Sequence, residues 1–137
     1  ITLDDTTYNV SGNKFVAYCF APVEGYSKFD TYTGNGNADG AFVYLGFRPK
    51  FVLLKSTTQG SQYWNIFDSL RDPFNSGASS PLYPNVNTAE GDGNVDIDFY
   101  SNGMKMVDNG NNHNASGAQY IYLAFADIPF KYANARW

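Results

Sequence analysis

The side chains best suited to chemistry are few and scattered. The only histidine is His113, set in the loop Asp108-Asn-Gly-Asn-Asn-His-Asn-Ala-Ser-Gly117, and the only cysteine is Cys19. A Cys–His pair would need an accessible thiol in an electropositive setting. Cys19 instead stands among apolar neighbours, in a segment that reads as a strand, so a buried and inert thiol is expected. No Gly-x-Ser-x-Gly elbow occurs. Glycoside hydrolysis needs two facing carboxyls. Glu24 and Glu90 are the only glutamates, and Asp96 and Asp98 alternate on what reads as the solvated face of one strand. Residues 92–103 begin like a calcium loop, but Ile97 replaces the turn glycine and Gly103 the bidentate glutamate. No enzyme and no cofactor are expected. A structural calcium held by Asp and Asn oxygens of separate loops stays open, since Ca²⁺ asks only for convergent oxygens.

Binding chemistry is better represented. A sugar offers an apolar ring face and a rim of hydroxyls; aromatic planes serve the first and Asn, Asp and Arg the second. Residues of this kind in or beside loops are Tyr32, Asn35, Asn37, Asp39, Arg71, Tyr83, Asn112 and His113, with Tyr26 and Trp64 as further candidates. Each has a plainer reading. Trp64 fits a core position, loop Asn and Gly supply turn conformations, Arg71 beside Asp68 and Asp72 fits a structural clamp, and His113 fits an exposed loop residue.

The elements that must position these residues read as strands. Helical periodicity is absent, whereas short apolar runs recur between Gly, Asn, Pro and Ser. Strands are expected at Phe15–Ala21, Ala41–Leu45, Lys50–Lys55, Gln62–Asp68, Asn94–Tyr100, Met104–Val107 and Gln119–Ala126. Asn102-Gly103 marks a hairpin. In the fifth run Val95, Ile97 and Phe99 share one face. In the last, Ile121, Leu123 and Phe125 are expected inside, leaving Tyr120 and Tyr122 to face a second apolar partner. About seven short strands at this spacing argue for an all-β antiparallel β-sandwich or jelly roll, lectin-like, in a single module spanning residues 1–137.

Composition narrows the partners. Nine Lys and Arg, dispersed singly against 13 Asp and Glu, leave no basic stripe for nucleic acid or for anionic lipid. No apolar run approaches the ~20 residues of a spanning helix, so no membrane insertion is expected. With Ile1 first and no secretory signal, the chain reads as an excised or mature fragment. Eleven Tyr and eleven Phe exceed what one small core can hide. A homo-oligomer, with trimerisation favoured, would cover the excess, since obligate interfaces are apolar and aromatic.

The run Phe15-Val-Ala-Tyr-Cys-Phe-Ala-Pro-Val-Glu-Gly-Tyr-Ser-Lys-Phe29, then Tyr32-Thr-Gly-Asn-Gly36, Gly46-Phe-Arg-Pro-Lys-Phe-Val-Leu-Leu-Lys55, Leu82-Tyr-Pro-Asn85 and Tyr120-Ile-Tyr-Leu-Ala-Phe-Ala126, resembles a module of phage tail-fibre and virion proteins common in marine phages. The likeness extends over about residues 15–136. It implies a virion or extracellular location and recognition of a host surface glycan or protein. It supplies no established binding residues. A purely structural virion subunit, with an aromatic face for assembly, is the other reading.

Overall fold

The computed structural model describes residues 10–75, 79–91 and 96–126. Among these residues seven strands form: β1 (Ser27–Thr33), β2 (Phe42–Tyr44), β3 (Pro49–Ser56), β4 (Asn65–Asp68), β5 (Ile97–Tyr100), β6 (Gly103–Met106) and β7 (Gln119–Ala126). No helix occurs among the described residues. Every pairing is antiparallel, in a four-stranded sheet ordered β1-β7-β3-β4 and a three-stranded sheet ordered β2-β6-β5. The fold is all-β and sandwich-like, as the strand pattern requires.

Alternation explains the core. One face of the four-stranded sheet supplies Val52, Leu54, Phe67, Tyr120, Tyr122 and Ala124; the three-stranded sheet answers with Val43, Ile97, Phe99, Met104 and Met106. Burying a side chain of this size contributes roughly 1.5–3 kcal/mol. Ile97 and Phe99 therefore lie where expected, while Val95 falls outside the described residues.

Strand β7 runs where the sequence places it, but it is turned over. Tyr120 and Tyr122 are inside, with Ala124 and Ala126, and Ile121, Leu123 and Phe125 are half-buried on the opposite face. Hydropathy misleads here because a buried tyrosine is tolerated once its hydroxyl is satisfied. Tyr120 Oη donates to Asn111 O and accepts from Ala115 N, both at 2.9 Å. The outward apolar face expected of the tyrosines exists, but Phe29, Phe51, Leu53, Ile121, Leu123 and Phe125 make it.

Two further expectations are corrected. Phe15–Ala21 forms no strand and is exposed along its length; Val16 and Tyr18 are 79% and 83% exposed. Within it Phe20 packs against Phe29 and Phe125 with ring centroids 5.5 and 6.1 Å apart. Cys19 is thus exposed rather than buried, since no neighbouring strand takes up the segment around it. The first strand among the described residues is Ser27–Thr33. The hairpin expected at Ser101-Asn-Gly103 forms, with Ser101 and Asn102 at the turn and Gly103 paired to Tyr100. Gly103 is needed for space: a Cβ there would lie 2.3 Å from Val43 O on β2.

Topology fixes where the loops meet. β1 ends at Thr33 opposite Gln119, the start of β7. β2 begins at Phe42 opposite Lys105, near the end of β6. The β1–β2 and β6–β7 connections therefore both cross between the sheets at one end of the sandwich. The chain must bring 34–41 and 107–118 side by side.

Candidate functional site

These two crossover loops bring together Tyr32, Asn35, Asn37, Asp39, Asn112 and His113. Their backbones touch directly. Gly34 N donates to Ala118 O, Gly117 N to Gly34 O and Gly36 N to Asn114 O, each at 2.9 Å. A Cβ on Gly34 would stand 2.3 Å from Ala115 O, so no side chain fits there.

A residue that was no candidate in the sequence ties the loops together. Asn114 is fully buried. The two hydrogens of its Nδ2 are shared among Asn35 Oδ1 (2.9 Å), Asn37 O (2.9 Å) and Asp108 O (2.7 Å), and its Oδ1 accepts from Asn35 N (3.0 Å). A buried amide so fully used fixes one arrangement of the chain around it. Around it Asn35 Nδ2 donates to Asp39 O and Asn35 Oδ1 accepts from Asn37 N, so the 35–39 turn is held from within. The sequence signal was the density of Asn itself, which turn chemistry alone explains equally well.

Aromatic rings support this arrangement from below. Tyr32 and Tyr120 stack with centroids 5.0 Å apart and planes 18° apart. Tyr32 Oη donates to His113 O. Burial raises the Tyr32 hydroxyl well above its ordinary pKa, and Tyr120 nearby adds to the rise. Tyr32 is therefore a prop for the loops rather than a ring presented to a ligand.

His113 is fully buried, correcting the expectation of an exposed loop residue. Its Nε2 lies 2.6 Å from Asp108 Oδ1, so the ring and the carboxylate are in direct polar contact. Burial alone would push the Asp108 carboxyl up. The contact with His113 and the hydrogen bond from Gly110 N outweigh it, and the net shift is down. Asn112 is half-buried with its Oδ1 unpartnered. The outer surface of the tip is left to Asn35, Asn37, Asp39, Asn111 and Ser116, all exposed, with Asp39 paired to Lys105.

Arg71 and Tyr83 lie apart from the tip, on the connection between β4 and β5. Arg71 is a clamp, though on different partners from those its neighbours suggested. Its Nη1 donates to Ser80 O and pairs with Glu90. Asp68 and Asp72 are instead bonded to backbone, accepting from Leu70 N and Ser80 N. Tyr83 is buried, edge-on to Tyr63 at 5.5 Å. Of the further candidates, Tyr26 packs edge-on to Phe125, and Trp64, expected in the core, is half-buried beside Leu53 in a shallow hollow with Pro84 and Asn85.

Among the described residues, no three His, Cys, Asp or Glu side chains converge as a metal site would require. Likewise no helix there is long and apolar enough to cross a membrane.

No curated protein and no solved structure matches this chain. A family model does, over residues 1–129, which include both sheets and both tip loops. The chain belongs to the family described as a domain of unknown function, DUF7483.

Proposed function

We propose that this domain is a recognition module of a phage virion that contacts a host surface glycan or protein through the polar tip. The observation that carries the reading is the stapling of two crossover loops by the buried Asn114 amide. A surface held rigid before contact loses little entropy on binding. Asn35, Asn37, Asp39, Asn111 and Ser116 then offer hydrogen-bonding groups at fixed positions. Repeated copies in an oligomer, a trimer in our reading, would add avidity to weak single contacts. The module acts outside the cell and without catalysis.

Glycan arrays and binding to host cells test the reading, comparing the native protein with Asn37→Ala and Asp39→Ala. Both side chains are exposed, so the variants keep the fold. Loss of binding in these variants supports the tip. Binding that survives both, or reducing ends released from a host polysaccharide, overturns it.

A second reading rests on a separate observation. The outer face of the four-stranded sheet is apolar, and among the described residues Phe20 and Tyr26 pack on the part around Phe125. Such a face suits assembly with further copies in a fibre or head decoration. Leu123→Asp would then lower the mass measured by light scattering, while the tip variants leave it unchanged.

A further inference from the structure

The end of the sandwich opposite the tip holds an open cleft of about 520 Å³. It lies between the turn leading into β1 and the crossover from β2 to β3. Ser27 and Lys28 at its edge begin the seven-residue strand whose far end enters the tip. At about 3.4 Å per residue, roughly 20 Å separates the two places. The volume falls within the roughly 300–1,000 Å³ of ligand sites.

Both walls are fixed by backbone bonds. On one side Val23 N donates to Ser27 O (3.0 Å) and Ser27 N returns to Val23 O (2.9 Å), with Gly25 at φ 73° completing the turn and Glu24 exposed upon it. On the other, Leu45 N and Gly46 N both donate to Asn102 O, at 2.9 and 3.0 Å, which holds Tyr44 in place with 60% of its surface open. Leu45 and Phe47 form the buried apolar floor. Lys28 spans the gap between the sheets: its Nζ donates to Tyr44 O at 2.7 Å and lies 5.6 Å from the centre of the Tyr44 ring.

The donor set selects the ligand. Glu24 only accepts hydrogen bonds and makes no ion pair among the described residues; Lys28 only donates, and two of its three N–H groups remain after the bond to Tyr44 O. An anion would face Glu24 and a cation would face Lys28. A neutral polyol meets no like charge, and its hydroxyls can donate to Glu24 and accept from Lys28. A pyranose adds a C–H face for the Tyr44 ring. We propose that this cleft binds a neutral pyranose residue. The site is independent of the tip and shares with the reading above only the ligand class.

Titration of the ¹⁵N-labelled chain with methyl glucoside, methyl galactoside, methyl mannoside and N-acetylglucosamine, at up to tens of millimolar, tests it by amide shifts. At least one sugar should move the Glu24, Gly25, Lys28, Gly46 and Phe47 amides to saturation. Glu24→Gln should weaken that sugar about tenfold, the loss of one charge-assisted hydrogen bond, and Tyr44→Ala by a similar factor. Asn37→Ala at the tip should leave its affinity unchanged. Both cleft side chains are exposed, so the spectra of the variants should otherwise match. The proposal is overturned if no sugar moves these amides, if sugars move tip amides alone, or if saturable shifts survive both cleft substitutions.

Discussion

The tip and the β4–β5 connection are both polar, contain several Asn and Gly, and read alike in sequence, yet they are held by opposite means. At the tip the holding groups are inside: Asn114 and His113 are fully buried, and Tyr32 and Tyr120 stack beneath them. In the connection the clearest tie is the Arg71–Glu90 pair, with side chains 29% and 49% exposed. A buried amide has no alternative partner if its bonds break, whereas a surface pair can return to water. The tip therefore behaves as an extension of the core, and the connection as a surface strap.

The largest break in this contrast is Asn114→Ala. Removing one side chain leaves Asn35 N, Asn37 O and Asp108 O without their partner, at a cost of about 3–4 kcal/mol. Urea unfolding should show a lower midpoint with an unchanged slope. An unmoved midpoint would mean the loops are held by their backbones alone.

Next in size is an alkaline transition. Burial, aided by the Asp30 carboxylate, pushes Tyr122 up to about 12, and Tyr32 and Tyr120 are also raised. Their neutral forms favour the folded state. The stability they contribute is complete below the unfolded tyrosine value of about 10 and is lost as pH rises from there towards 12. Tyrosinate absorbance should appear late and together with loss of the β-sheet circular dichroism signal.

Tyr120→Phe keeps the stack but removes the bonds to Asn111 O and Ala115 N, for about 1–2 kcal/mol. Amide exchange should speed up first in residues 111–115. Asp108→Asn acts in the acid range. The lowered carboxyl contributes stability above its unfolded value of about 3.9, which is lost as pH falls through the folded value. The variant should therefore lose less stability than the native protein between about pH 5 and 2.

The smallest effect is expected at the strap. Glu90→Gln should cost less than about 0.5 kcal/mol and abolish what salt dependence the pair has. A loss as large as that of Asn114→Ala would erase the distinction between the two regions.

Strand positions were legible because alternation and turn residues act locally: β7 coincides with Gln119–Ala126, and β3 and β5 overlap their expected runs. What local pattern could not show was which face of β7 turns inward. Ile121, Leu123 and Phe125 are more apolar than Tyr120 and Tyr122, but the Tyr120 hydroxyl meets its partners in loop 111–115, which only the folded chain brings near. Phe15–Ala21 has strand composition without an adjoining strand, so its pattern promised what pairing did not deliver. The convergence of Asn35, Asn37, Asp39, Asn112 and His113 needed the strand order. Their roles needed Asn114, whose importance lies in three side-chain bonds across to the other loop rather than in its neighbours in sequence.

The internal staple also divides labour between positions. Gly34, Asn114 and Tyr120 set the path of the tip chain, while Asn37, Ala38 and Asn109 only decorate it. Decorating positions can be exchanged without reopening the fold, so a set of such chains could carry different outer surfaces on one unchanged frame. A library varied at those three places and screened for new adhesion should keep nearly every member folded.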